Sequence, residues 1–331
     1  MGKKPAGERP VFSASRVGSY LVCPRAYYFK YTLGLTTDEI GWSALVGQAY
    51  HQVISDWHSL RREADLEQLE LDFVADLRKR IAKEDAKQNT ISRFEGEPSI
   101  AAALEEATEV LAGYIEDPRN HIELGLNEVR FEVEIKGSGK TSYLFQGWID
   151  QLRKLPDGRH ELTDLKTGKN RPNSFLLTLD NQLSLYALAC VKGRFFRRGE
   201  EGSFEIGHLP ELISIAHLKD YRKYKKNEFA KVIKDPDKVK IPNPKGKGRD
   251  VIREIPNPKY AEGYKLGEQM GQVFYRTQRS EFDLRQAELD LSRVCAAIRR
   301  KEFFRRPSAH GSCIGFCRYT QECTAERSEP I

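Results

Sequence analysis

No stretch of this 331-residue chain approaches the ~20 consecutive apolar residues of a membrane-spanning helix, so no membrane partner is expected. The basic start, MGKKPAGERP, has no apolar run behind it, and a secretory leader is not expected. Ala6 stands where an N-myristoylation signal needs Ser or Thr. A Gly-x4-Gly-Lys-Ser/Thr phosphate loop is also missing, so an ATPase motor of that kind is excluded. Internal repeats and low-complexity tracts are absent. Cysteine is scarce, with six in all. In the reducing cytoplasm expected for this chain, clustered cysteines bind metal more often than they form disulfides. What is present is 39% hydrophobic and 31% charged residues, the balance of a soluble globular protein. Such a length suffices for one large elaborated domain or two, with a substantial core.

The net charge of +6 is unevenly spread. Lys219 to Asp250 holds 12 Lys/Arg against 5 Asp/Glu, and the remainder holds 42 against 43. One segment therefore carries the whole positive balance. It also contains Pro236, Pro242, Pro244, Gly246 and Gly248, so KIPNPKGKGRD reads as an exposed loop. A basic loop suits a phosphate backbone, which calls for charge but no base reading. A solvated surface insertion is equally compatible.

Patterning predicts the elements. Ser13 or Ser15 can cap a short helix through Val17, Tyr20 and Leu21, and Pro24 suits the first turn of a second helix through Tyr27, Tyr28 and Tyr31. Cys23 falls at that junction. Further helices are predicted over Ser43–Arg62, within Leu66–Gln88 and Ser99–Tyr114, and over Asn181–Val191 and Glu281–Lys301. Strands are predicted over Asn127–Lys136, with Val129, Phe131, Val133 and Ile135 on one face, and over Tyr143–Lys154, His160–Lys166 and Glu211–Leu218. Pro156-Asp157-Gly158 marks a hairpin turn. The order implies a mixed α/β core with helical insertions.

Two kinds of metal chemistry share this chain. Cys23, Cys313, Cys317 and Cys323 form a thiolate set of the kind that selects an iron–sulfur cluster or zinc, while the carboxylates between them select Mg²⁺ or Mn²⁺. Asp150 closes one predicted strand and Asp164 nears the end of the next, so a hairpin lets both converge on one cation. Lys166, two residues after Asp164, shares its sheet face. Carboxylate-held Mg²⁺ or Mn²⁺ lowers the pKa of bound water and neutralises phosphate charge, and a fixed ammonium orients the attacking water. His51 can complete the shell, more naturally for Mn²⁺ than for Mg²⁺. By itself Asp-x-Lys is as readily an exposed ion pair, and His51 a satisfied helix histidine. Their ordered context gives them weight. Cys190 and Cys295 lie in helical patterns and read as small apolar core residues.

The strings SASRVGSYLVCPRAYYFKY, GQAYH, GWIDQL, ELTDLKTGK, NQLSLYA and Cys-x3-Cys-Arg-Tyr-x3-Cys, in that order, resemble the RecB-like branch of the PD-(D/E)XK nucleases. Within it the chain is most similar to members with an iron–sulfur staple, the AddB-type nuclease domains and the CRISPR-associated adaptation exonucleases. The resemblance runs from about Ser13 to Cys323 and is weakest over 62–126 and 219–275. It implies a restriction-endonuclease-like α/β fold, a mixed central sheet flanked by helices, as a single domain over 1–331. Residues 62–126 would be a helical insertion, 219–275 a basic insertion, and 302–331 a C-terminal segment joined to the N-terminus by a 4Fe–4S cluster.

The resemblance also implies roles. His51, Asp150 and Asp164, with the backbone carbonyl of Leu165, would hold Mg²⁺ or Mn²⁺, and Lys166 would be the catalytic lysine. Gln182 and Tyr186, at i and i+4 on one helix face, would orient the active-site groups or DNA; for Tyr186 plain core packing is the other reading. Cys23, Cys313, Cys317 and Cys323 would ligate the cluster, zinc being the alternative metal. The implied function is hydrolysis of DNA, as an exonuclease on single-stranded or frayed ends in repair, recombination or processing. Alternatives are a structure-specific endonuclease and an end-binding accessory module of a helicase. A helicase or other recombination protein is the expected partner, in the cytoplasm of a bacterium or from a phage gene.

Overall fold

The computed structural model describes residues 11–35, 39–60, 62–87, 89–92, 99–168, 170–222, 239–241, 251–253, 273–305 and 317–325. Helices begin where the sequence supplies a cap. Ser13 accepts from the Arg16 N–H at 3.2 Å and starts α1 (Ala14–Val22). Cys23 ends α1 and precedes α2 (Pro24–Tyr27), with Pro24 in the first turn, and a π-helical turn (Tyr28–Thr32) follows. Next come α3 (Trp42–Ser59), α4 (Leu66–Asp85) capped by Asp65, and α5 (Ile100–Glu116) capped by Ser99. After them stand α6 (Ser174–Leu177) and α7 (Asn181–Lys192), the latter capped by Asp180. Ser280 and Asp283 cap α8 (Glu281–Arg299) reciprocally, and α9 is Thr320–Ala325.

The strands are β1 (Val11–Phe12), β2 (Glu39–Gly41), β3 (Thr90–Ser92), β4 (Leu124–Lys136), β5 (Ser142–Lys154), β6 (His160–Lys166), β7 (Arg194–Phe196), β8 (Leu212–His217), β9 (Val239–Ile241), β10 (Val251–Arg253) and β11 (Phe274–Thr277). Seven of them form a mixed sheet in the order β11-β8-β6-β5-β4-β7, with β1 beside β5. The β6/β8 and β1/β5 pairs are parallel and the others antiparallel. Gly158, at φ +86°, makes the β5–β6 turn that Pro-Asp-Gly predicts. The long predicted elements are present. The short edge strands β1, β7 and β11 are additions that the sequence pattern did not reveal.

Two apolar layers sandwich the sheet. On one face α1, α7 and α8 pack against Val129, Phe131, Val133, Ile135, Phe145 and Ile149. On the other, α3, α4 and α5 cover Leu165, Ala216 and Phe274. This is a mixed α/β fold, a central mixed sheet flanked by helices, as expected. Cys190 and Cys295 are fully buried core residues, and burial pushes the Cys190 thiol up to about 12.

An ion network ties the sheet together. Glu161 on β6, with no exposed surface, meets Arg153 of β5 at 2.8 Å and Arg276 of β11 at 2.7 Å. Arg153 is itself buried and stands over the Phe274 ring at 4.2 Å.

Segment 62–126 contains α4 and α5, and its last residues open β4. The core reaches into both ends of segment 219–275: Asp220 and Tyr221 are buried, and Phe274 and Tyr275 lie on β11. Between them β9 and β10 pair antiparallel with each other, and the basic loop at 242–250 lies outside the described residues. At the C-terminal side the Tyr20 hydroxyl donates to the Glu302 carbonyl at 2.7 Å. Tyr319 packs on Phe29, centroids 5.6 Å apart, and its hydroxyl donates to the Leu35 carbonyl at 3.2 Å. Among the described residues no helix is long and apolar enough to cross a membrane.

Candidate active site

The β5/β6 hairpin opens where its carboxylates sit. Gln151 pairs with Thr163, the registered pair farthest from the turn, and beyond it the strands part. Asp150 fills the opening by accepting the Leu165 N–H on Oδ2 at 2.7 Å. A strand amide left without a partner is thereby satisfied by a side chain, which fixes the carboxylate against β6.

From α3, His51 approaches the same point. Its Nδ1 lies 3.0 Å from Glu128 Oε1 and 3.7 Å from Asp150 Oδ1. Gly47 makes the approach possible, because a Cβ there would stand 2.7 Å from Thr167 Oγ1. Gly47 is one helical turn before His51, so the Gly-x3-His spacing puts the bare backbone against the loop after Lys166 and the imidazole beside the carboxylates.

From α7 come Gln182 and Tyr186. Lys166 Nζ is 2.7 Å from Asp164 Oδ2 and donates to Gln182 Oε1 at 3.4 Å. Gln182 Nε2 donates to Asp164 Oδ1 at 3.2 Å and to the Tyr186 hydroxyl at 2.6 Å. The amide is thus read from both ends: its oxygen faces the ammonium and its nitrogen faces the carboxylate. Tyr186 packs edge-on to Phe131 at 5.6 Å, so it is both a core residue and the support of Gln182.

His51, Asp150, Asp164, Leu165, Lys166, Gln182 and Tyr186 all line one cavity of about 600 Å³. The structure therefore brings together every predicted member of the carboxylate site. The thiolates lie elsewhere: Cys23 is half-buried at the α1–α2 junction, and Cys317 and Cys323 are half-buried beside and within α9. Cys313 lies outside the described residues.

Glu128 was not foreseen. Strand alternation places it with Glu132 and Glu134 on a polar face, and nothing in that pattern sets it apart. Its backbone is left-handed, φ +49°, an unfavourable region for a side chain with a Cβ. Around it the strands change phase: Leu126 and Val129, three residues apart, share one core, as do Ile149 and Leu152. The usable signal is hairpin register. Counting outward from Lys136 opposite Ser142 sets Glu128 opposite Asp150.

A second histidine holds the loop that follows Lys166. His217 pairs in register with Lys166 across β6/β8. Its Nε2 meets the Gly168 carbonyl at 2.8 Å and its Nδ1 meets Asp220 at 2.9 Å. Arg171 closes on Asp220 from the loop itself at 2.6 Å.

The electrostatics are those of a site short of positive charge. Burial, then the Asp164 charge, raises the Asp150 carboxyl above the usual range, with His51 opposing. Burial likewise raises Asp164 against the pull of Lys166 and His51. Burial disfavours the His51 imidazolium, yet the Glu128 hydrogen bond and the charges of Asp150, Glu128 and Asp164 outweigh it and raise the pKa to about 9. Lys166 also loses hydration, but Asp164 above all keeps it above its ordinary value, so it is an ammonium that donates. Burial and Asp164 push the Tyr186 hydroxyl upward, and it stays protonated.

The donor set fits a hard divalent cation. Single ligand atoms of His51, Glu128 and Asp150 lie within 4.8 Å of one another, two of them carboxylate oxygens. Each raised pKa lies above its unfolded value. These groups therefore lend stability at low pH that is lost as pH rises, through about 9 for His51. At pH 8 without metal, Asp150→Asn should melt about 2–4 °C above wild type, since a buried carboxylate charge is gone. Added Mn²⁺ should raise the wild-type melting temperature and leave the variant nearly unmoved. A lower metal-free melting temperature for the variant would contradict this electrostatic reading.

No curated protein matches the chain. Among solved structures, one titled "Crystal structure of SSO0001" is 13% identical, with 91% of this chain and 94% of that chain covered and a TM-score of 0.29. The family model of the PD-(D/E)XK nuclease superfamily matches residues 11–324, and so, with its two aspartates and lysine lining one cavity, the chain belongs to that superfamily of metal-dependent nucleases.

Proposed function

We propose that this chain is a Mg²⁺- or Mn²⁺-dependent deoxyribonuclease of the RecB-like branch, an exonuclease on single-stranded or frayed DNA ends in DNA repair or recombination. The observation that carries the reading is the convergence of Asp150, Asp164, Lys166 and Gln182 on one cavity with His51 and Glu128 at its side. His51, Glu128 and Asp150, with Asp164 and the Leu165 carbonyl, are the groups that would hold the cation. The cation supplies an acidified water and charge neutralisation at the phosphate.

The residues divide the rest. Lys166, held as an ammonium by Asp164, donates to the attacking water or to a non-bridging phosphate oxygen where negative charge grows. Gln182 spans Lys166 and Asp164 so that neither rotates away, and Tyr186 fixes Gln182. Water oxygen joins phosphorus and gives up a proton to solvent, the P–O ester bond breaks, and the leaving oxygen takes up a proton from solvent.

End-labelled single- and double-stranded DNA with Mg²⁺ or Mn²⁺ tests hydrolysis, and linear against covalently closed circular substrates tests the need for an end. Degradation of the linear form with the circle intact is the expected result. Cleavage of the circle would favour the structure-specific endonuclease, and end binding without cleavage an accessory module of a helicase. Gly47→Ala bears on the site's tolerance. The gain of about 1 kcal/mol for Ala over Gly inside a helix offsets the clash at Thr167, so stability should change little. Displacing α3 or Thr167 should cut cleavage about tenfold or more. An unaltered rate would show that the close approach is not needed.

We also infer that a 4Fe–4S cluster on Cys23, Cys313, Cys317 and Cys323 clasps the two ends of the chain. Support comes from the packing of Tyr319 on Phe29 and its bond to Leu35, which bring α9 against the π-helical turn just after Cys23. Closing so long a loop constrains the unfolded chain strongly. The purified protein should be brown, and Cys23→Ala should lose colour and stability. A brown, stably folded Cys23→Ala protein would overturn the assignment, and a colourless wild type containing zinc would replace the metal.

A further inference from the structure

One sheet face is covered unevenly among the described residues. The apolar layer of α3, α4 and α5 takes no hydrophobic residue from β4, β5 or β7 among the described residues, although it includes residues of β6, β8 and β11. Its contacts with β4 and β5 are polar, from Asn127 to the Ser55 carbonyl and from Gln151 to the Tyr114 hydroxyl. On the half without apolar cover, Trp148 of β5 is registered with Arg130 of β4, and Arg130 with Phe196 of β7. Aromatic, cation and aromatic thus stand in one cross-strand row, with neighbouring strands about 4.8 Å apart. The Arg130 guanidinium lies 4.8 Å from the Phe196 ring centroid, as a cation stacked on a π-face does.

The row begins at the catalytic cavity. Trp148 is two residues before Asp150, and it lines the cavity with Arg130, Asp150, Asp164 and Lys166. It is 48% exposed, whereas Trp57 is buried in the core. An indole left in water at the mouth of a site built for phosphate is poorly explained by packing. Glu132, in the next row, pairs with both Arg130 and Arg194, which holds the two guanidinium groups on this face.

We propose that Trp148, with Arg130 and Phe196 behind it, is a stacking platform for bases of a single DNA strand whose phosphate lies at the carboxylates. A base has an accessible π-face only when unpaired, and every base has one. The platform would therefore select single strands without selecting sequence. A paired duplex offers its faces only at the terminal pair, so the same row discriminates frayed ends from closed helix. The inference rests on the nuclease reading for its substrate class and adds the group that chooses strand form.

The test uses the full chain with metal omitted, so that binding is read without cleavage. Fluorescence anisotropy with a labelled oligo-dT should show Trp148→Ala binding about fivefold to a hundredfold more weakly than wild type, and Trp148→Phe should restore most of the affinity. A strand of the same length built of base-lacking residues should bind wild type and Trp148→Ala alike. Binding of oligo-dT by Trp148→Ala within twofold of wild type, an equal loss on the base-lacking strand, or no binding by wild type would each overturn the platform. Adding Mn²⁺ to the same samples reports hydrolysis separately. A base-dependent loss at Trp148 without any cleavage would leave the platform standing and sink the nuclease reading instead.

Discussion

Asp164→Asn should abolish DNA cleavage, by about a thousandfold or more, while the protein stays folded. Asp164 is 2% exposed and holds Lys166 at 2.7 Å, so its charge fixes the ammonium besides offering an anionic oxygen to a cation. Asparagine keeps the shape and can still meet Gln182, but it neither balances Lys166 nor serves as an anionic ligand. Burial already presses Asp164 toward its neutral form, so the amide should not lower the metal-free melting temperature. Lys166→Ala should lose comparable activity for a different reason. It removes the proposed donor to the attacking water or phosphate and leaves the Asp164 carboxylate buried without its cation. End-labelled DNA with Mg²⁺ or Mn²⁺ beside a thermal melt separates the two variants. Residual cleavage by Asp164→Asn within tenfold of wild type would remove Asp164 from the mechanism.

Glu161→Ala should destabilise the fold by about 3–5 kcal/mol, the largest stability effect expected here. Glu161 has no exposed surface and receives both Arg153 and Arg276. Arg276 is half-exposed and can turn to solvent, whereas Arg153 is buried and would be left as an uncompensated charge beneath Phe274. Replacing Arg153 and Glu161 together with apolar residues of similar volume should recover much of the loss, because the penalty belongs to the orphaned charge. Urea melts of the single and double variants measure this. A double variant no more stable than Glu161→Ala would assign the cost to lost packing instead.

How much of this was legible in the chain follows from which forces act locally. The sheet core was readable because β4 carries a period-two apolar pattern, and the Pro-Asp-Gly turn ties β5 to β6 within a few residues. Asp150, Asp164 and Lys166 became visible through that hairpin, whose geometry depends on near neighbours alone. Glu128 was hidden because its role depends on a left-handed residue and a change of strand phase, neither of which leaves a compositional mark. The edge strands β1, β7 and β11 are two to four residues long, too short for a period to show. Glu161 and Arg153 read as ordinary strand charges, since their burial is settled by contacts distant in sequence, with Arg276 and Phe274 of β11. Nothing in GWIDQL sets Trp148 apart, because its exposure follows from where the covering helices stop.

The aromatic contacts between the chain's two ends also have a consequence during synthesis. Tyr27 and Tyr28 rest on Phe303, and Phe29 rests on Tyr319. A ribosome adding about 5–20 residues per second needs roughly 15–60 s to pass from the first partners to the last. Through that interval a cluster of tyrosines and a phenylalanine stands without its cover. That apolar cluster is exposed to other chains until Phe303 and Tyr319 emerge to cover it.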